Sequence, residues 1–177
     1  MGLEPTIIFL DVDGVLTSAR CNGFHDFDLW AVTFLRWACR KGNAKIVMSS
    51  VWRNNRDAKE VFGRTFGEFL HEDWRTGNHG AREDEIDEWL SRHPEITEFI
   101  VIDDDIGDLR RHEARLIRTS NLDGMLMEHM MDLRDRLGIT TFPHAYNPVF
   151  RDDVCFFTER EADVIKKYPV NPKFLDN

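Results

Sequence analysis

Three short, nearly continuous apolar runs constrain the fold of this chain more than any other feature. They are Thr6-Ile7-Ile8-Phe9-Leu10, Ala44-Lys45-Ile46-Val47-Met48 and Glu98-Phe99-Ile100-Val101-Ile102. None alternates apolar with polar, so each reads as a strand buried on both faces. Strands of that kind belong to parallel sheets covered by helices. Each run also stops abruptly in polar residues. The first opens into Asp11-Val12-Asp13-Gly14-Val15-Leu16, the second into Ser49-Ser50 and the third into Asp103-Asp104-Asp105. Ligands of open parallel sheets bind beyond the carboxyl ends of the strands. The three polar loops are therefore expected to share one edge.

Helical spacing fills the intervals. Between Asp28 and Lys41, the residues Trp30, Phe34, Trp37 and Ala38 mark an inward face, with Gly42 as the expected C-terminal cap. A short helix is expected near Asp57 to Phe62, followed by an irregular, glycine-containing segment up to His79. Glu83 to Ser91 reads as a helix with Ile86, Trp89 and Leu90 inward. Arg115 to Arg118 reads as a short strand. Leu122 to Leu137 reads as an amphipathic helix with Leu126, Met130, Leu133 and Leu137 on one side, stopped by Gly138. The expected fold is α/β, a Rossmann-like three-layer sandwich with a central parallel sheet and no large cap domain. Residues 1–138 form its core. Residues 139–177, with Pro143, Pro148, Pro169 and Pro172, read as a C-terminal extension packing on that core.

The composition narrows the partners. Thirty-two acidic against 23 basic residues give a net charge of -9. Long contacts with a phosphate backbone depend on Lys and Arg, so the charge argues against a processive duplex binder or an anionic-membrane binder. A nucleic-acid end needs only a few local cations and stays compatible, as does an oligomer. No apolar run reaches the roughly 20 residues of a membrane span. The first apolar run is short and enters an acidic loop, which argues against a secretory leader. Cys21, Cys39 and Cys155 have neither metal-ligand spacing nor a disulfide pattern. They read as reduced structural thiols of a cytoplasmic protein.

The chemistry lies in the loops. Asp11 and Asp13, one residue apart on a tight turn, can face one small volume, and Gly14 permits a close backbone approach. A calcium loop of the EF-hand type does not fit, because Gly stands fourth from Asp11 and Asn22 stands twelfth. Asp103, Asp104, Asp105 and Asp108 form a second cluster that repels itself unless a cation neutralises it. Hard oxygen ligands select Mg²⁺ or Ca²⁺. Ser49 and Ser50 offer hydroxyls and backbone N–H groups to phosphoryl oxygens. Arg53 and Arg82 are the candidate cationic partners.

Taken together these motifs resemble the haloacid dehalogenase (HAD) superfamily of phosphotransferases. The first family motif stands as Ile7-Ile8-Phe9-Leu10-Asp11-Val12-Asp13-Gly14-Val15-Leu16 and the second as Lys45-Ile46-Val47-Met48-Ser49. The third is a basic residue, here Arg82, and the fourth is Ile100-Val101-Ile102-Asp103-Asp104 with Asp108. Ser49-Ser50-Val51-Trp52-Arg53 and the Arg82–Leu90 segment are similar to the capless branch associated with RNA-repair proteins. The resemblance implies a Mg²⁺-dependent phosphomonoesterase. Asp11 would attack phosphorus and Asp13 would act as general acid and base. Ser49 and Arg82 would bind the phosphoryl group, and Gly14, Ser50 and Arg53 the substrate. The metal ligands would be Asp11, Asp13, Asp104, Asp103 and Asp108.

With no room for a large lid, the expected substrate is a nucleic-acid 3′-phosphate end or a nucleotide, with Phe24, Trp52 and Trp74 as stacking candidates. A sugar or metabolite phosphatase is the nearest rival. A phospho-accepting receiver domain is the rival of another class. It fits less well, because receivers carry the acidic pair after the first strand and the acceptor on a middle strand.

Overall fold

The computed structural model describes residues 4–19, 27–78 and 80–141. The expected extension, apart from its first three residues, lies outside the described residues, as do Cys21, Phe24 and Cys155. A five-stranded, wholly parallel sheet runs through the middle, in the order β3-β2-β1-β4-β5. Its strands are β1 (Thr6–Leu10), β2 (Ala44–Met48), β3 (Leu70–Arg75), β4 (Phe99–Asp103) and β5 (Leu116–Arg118). The helices are α1 (Leu29–Gly42), α2 (Ala58–Phe66), α3 (Arg82–Arg92) and α4 (Met127–Arg136). This is the Rossmann-like α/β sandwich that the apolar runs imply, and no large cap is inserted in it.

Pleating divides the core. Ile7 and Phe9 point to the face that α3 covers with Ile86 and Trp89, joined there by Val47, Val101, Leu109 and Leu116. The Phe9 and Trp89 rings meet edge to face at 5.4 Å. Ile8 and Leu10 point the other way and are equally buried. On that side α1 packs on β2, and α4 packs on both α1 and β5. Each large side chain buried in this way contributes about 1.5–3 kcal/mol relative to exposure.

Register sets the functional edge. Leu10 pairs with Met48 on one side and with Ile102 on the other. Asp11, Ser49 and Asp103, the next residue of each strand, therefore emerge at one level. The ladder continues one rung further, with Asp11 N–H donating to Ile102 O and Ser49 N–H donating to Leu10 O, both at 3.0 Å. The chain winds from β1 outward to β3, then crosses to β4 and β5. The order reverses between β1 and β4, where such sheets place their ligands.

The structure differs from the sequence expectations in several places. Leu70–Arg75 is a strand, where an irregular segment was expected. It is an edge strand of half-buried and exposed residues, and its register against β2 shifts between Ile46 and Met48. Its Glu72, Asp73 and Arg75 hide the strand signal while protecting an open edge. The helix expected from Leu122 begins only at Met127. Gly124, at φ 68°, turns the backbone, and Met125 N–H donates to Val15 O at 3.1 Å. The α1 cap is Asn43 in the left-handed region, with its N–H on Cys39 O, and not Gly42. Trp30 is 68% exposed and not on the inward face. Ile139, the first residue of the expected extension, is buried. Cys39 is a buried free thiol, pushed up to about 12 by burial. Among the described residues, no helix is long and apolar enough to cross a membrane.

Candidate active site

A cleft of about 420 Å³ opens at the carboxyl edge of the sheet, over the β1–β4 reversal. It is lined by Asp11, Asp13, Val51, Arg82, Asp104, Asp105 and Asn121. Asp11 lies at its floor, only 5% exposed. Carboxylate oxygens of Asp11, Asp103 and Asp104 lie within 4.8 Å of one another. Arg82, the first residue of α3, reaches Asp11 Oδ2 at 3.3 Å and also pairs with Asp103. Because Ile86 and Trp89 anchor α3 against β1, the guanidinium is aimed at Asp11 by the core itself.

The electrostatics are those of crowded like charges. Burial pushes Asp103 up to about 6, with Asp11 adding to the effect and Arg82 opposing it. Asp104 is raised as well, by burial first and by Asp11 next. Burial works to lower Arg82, but Asp11 and Asp103 outweigh it and hold the guanidinium above its ordinary value. Three carboxylates facing one guanidinium leave two negative charges uncompensated. A dication held by oxygen ligands matches both that charge and the donor set.

Gly14 has a definite task. It sits at φ 70°, and a Cβ there would lie 2.4 Å from Asp104 Cγ. Only glycine lets the two acidic loops approach so closely. The Ser49 hydroxyl is fully buried and has no hydrogen-bond partner. Thr76 and Thr119, which follow β3 and β5, repeat the pattern. A buried hydroxyl without a partner costs about 1–3 kcal/mol, which an incoming acceptor would recover.

This chain matches the family model described as the HAD domain in Swiss Army Knife RNA repair proteins, over residues 7–130. It belongs to the HAD superfamily, in its RNA-repair branch. No curated protein and no solved structure matches it significantly.

The HAD domain brings Asp11, Asp13, Arg82 and Asp104 to the cleft together, with Asp103 beneath them. Other expected residues stand elsewhere. Asp108 is exposed and does not line the cleft, and its backbone carbonyl accepts from Glu83 N–H at 3.0 Å. The Asp13 side chain is outside the carboxylate trio and is held by Thr17 Oγ1 at 3.0 Å and by Trp52 Nε1 at 2.9 Å. Ser50 Oγ accepts from Trp52 N–H at 3.3 Å, capping the 3₁₀ turn Val51–Asn54. Arg53 is 3% exposed and faces away from the cleft lining. It pairs with Glu85 at 2.6 Å and donates to the carbonyls of Gly77 and Ser49. In this structure Ser50 and Arg53 thus shape the loop after β2.

Asn121 and Val51 line the cleft without having been sequence candidates, and Asp105 was named only as a member of the acidic cluster. The strand-end rule pointed to Asn121, since Arg115 to Arg118 already read as a strand. The Asn121 loop is tied to the first acidic loop, with Ala19 N–H on Asn121 O at 3.1 Å. The stacking candidate Trp74 lies against Phe62, 6.1 Å between centroids.

Proposed function

We propose that this protein is a Mg²⁺-dependent phosphomonoesterase that forms a phospho-aspartyl intermediate on Asp11. One observation carries the reading: Asp11 lies at the floor of the cleft, within 4.8 Å of two further carboxylates and beside Arg82. Asp11, Asp104 and Asp103, with the backbone carbonyl of Asp13, are the groups suited to hold Mg²⁺. Bound there, the ion would neutralise charge on the phosphoryl oxygens and offset repulsion between them and the Asp11 nucleophile.

Asp11 attacks phosphorus and the ester oxygen departs as an alkoxide, leaving an acyl phosphate on the protein. Asp13, at the exposed rim, gives its proton to that alkoxide. It then takes a proton from the water that hydrolyses the acyl phosphate. Arg82 and the free Ser49 hydroxyl bind the phosphoryl oxygens as charge spreads over them. The acid at position 13 favours hydrolysis of phosphomonoesters over the other chemistries of the superfamily.

The substrate we propose is a nucleic-acid 3′-phosphate end or a nucleotide. A cleft walled by Val51 and Asn121, over which the described residues place no large cap, admits a chain end, and the family description points to RNA repair. Released phosphate is the readout. Turnover of a 3′-phosphorylated oligonucleotide should exceed that of free nucleotides and sugar phosphates, should vanish in EDTA and should return with Mg²⁺. Preference for sugar phosphates would favour a metabolite phosphatase, and no turnover of any phosphomonoester would refute the reading.

A further inference from the structure

We propose that Trp52 is a positioning residue for Asp13, holding the proton carrier in its working orientation from across the cleft. The proposal rests on the reading of Asp13 as general acid and base. Asp13 is exposed on a loop, where a carboxylate left alone rotates among several rotamers. Here each of its oxygens has a donor. Thr17 Oγ1 donates to Oδ1 at 3.0 Å from its own loop, and Trp52 Nε1 donates to Oδ2 at 2.9 Å from the loop after β2. The two donors come from separate elements, so together they fix both the position and the plane of the carboxylate. The indole N–H is a donor only. It anchors Oδ2 without competing for the proton that Asp13 carries.

Trp52 is itself held. Its backbone N–H is accepted by Ser50 Oγ, within the Val51–Asn54 turn. Its ring packs at a tilt on Phe27, 5.8 Å between centroids. Phe27 stacks on Phe62 at 6.2 Å and 5°, and Phe62 is only 1% exposed. An aromatic row thus runs from the core beneath α2 to the rim of the cleft. Arg53 fastens the base of the same loop through Ser49 O and Glu85.

A proton carrier works only within hydrogen-bond reach of the oxygen it serves, and small misplacement is costly. The cost depends on the leaving group. An alkoxide needs the proton, whereas a nitrophenolate leaves without it. Trp52→Phe keeps most of the ring and removes the N–H. It should lower kcat/KM on a 3′-phosphorylated oligonucleotide about tenfold or more. On p-nitrophenyl phosphate the loss in kcat/KM should stay under about threefold, because that ratio reports formation of the acyl phosphate, where general acid assistance to a nitrophenolate contributes little. In an Asp13→Asn background, Trp52→Phe should add no further loss on the oligonucleotide. Equal losses on both esters, or losses that simply multiply in the double variant, would overturn the proposal.

A second measurement needs no turnover. In Asp13→Ala, the Trp52 indole N–H resonance should move and its hydrogen exchange should speed up. An unmoved resonance refutes the contact, whereas a wild-type chain inactive on both esters refutes the phosphomonoesterase reading, so the two failures are distinct.

Discussion

Arg53 and Arg82 are the two arginines that the sequence offers as phosphate partners, and the structure gives them opposite surroundings. Arg53 is enclosed, with one carboxylate, Glu85, and two backbone carbonyls around its guanidinium. Arg82 is 19% exposed at the side chain and faces two carboxylates whose charge it does not balance. The first arrangement is closed, with donors and acceptors matched, and it supports the loop that carries Ser49. The second carries surplus negative charge toward an open cleft. Of two cations in one region, the one beside an excess of acids is the one placed for chemistry.

The largest effect should come from the nucleophile that Arg82 faces. Asp11→Asn should lower kcat by at least ~10³-fold, because the covalent route is lost. Activity retained in that variant would remove the reason for treating the Arg82 cluster as the reactive one. Next, Arg53→Met should destabilise the fold by about 3–5 kcal/mol, because the buried Glu85 charge loses the opposite charge of Arg53. The check is a urea titration, and adding Glu85→Leu should restore most of the loss. A stable, inactive Arg53→Met would merge the two arginines into one functional group.

Arg82→Ala should instead lower kcat/KM by about 10²–10³-fold with a smaller change in the urea midpoint. The smallest effect concerns pH. The Asp103 value in the folded protein, about 6, lies above the ordinary 3.8. The folded state therefore binds that proton more tightly than the unfolded chain. The stability it contributes is complete below about pH 4 and is lost as pH rises through about 6. Asp103→Asn should accordingly gain on the metal-free wild type between about pH 4 and pH 7. Comparison of urea midpoints across that range tests the sign, and a trend in the opposite direction would mean that Arg82 outweighs burial at Asp103.

How far the sequence disclosed these features depends on the range of the interaction. β1, β2 and β4 announce themselves because both faces are apolar, and the acids that follow them need no partner to be noticed. Asp11, Asp13, Ser49 and the Asp103-Asp104 pair stood out as candidates because they follow such strands, and Arg82 because it opens the helix before β4. β3 was not, because His71, Glu72, Asp73 and Arg75 at a sheet edge have no reason to alternate. The Arg53–Glu85 pair and the Trp52–Asp13 bond join residues 32 and 39 positions apart. No local pattern encodes such pairings. Asp108 was chosen by its spacing, whereas the local turn sends Asp105 to the cleft. There Asp105 N–H donates to Asp103 Oδ1 at 2.9 Å, and its own Oδ1 accepts from Gly107 N–H at 2.7 Å.

The shared level of Asp11, Ser49 and Asp103 follows from the pairing of Leu10 with both Met48 and Ile102. Sliding β1 by a single residue would exchange its two faces and lift the nucleophile away from its neighbours in one movement. Because both faces of β1 are apolar and buried, a mispaired chain would keep apolar side chains inside while losing its reactive edge.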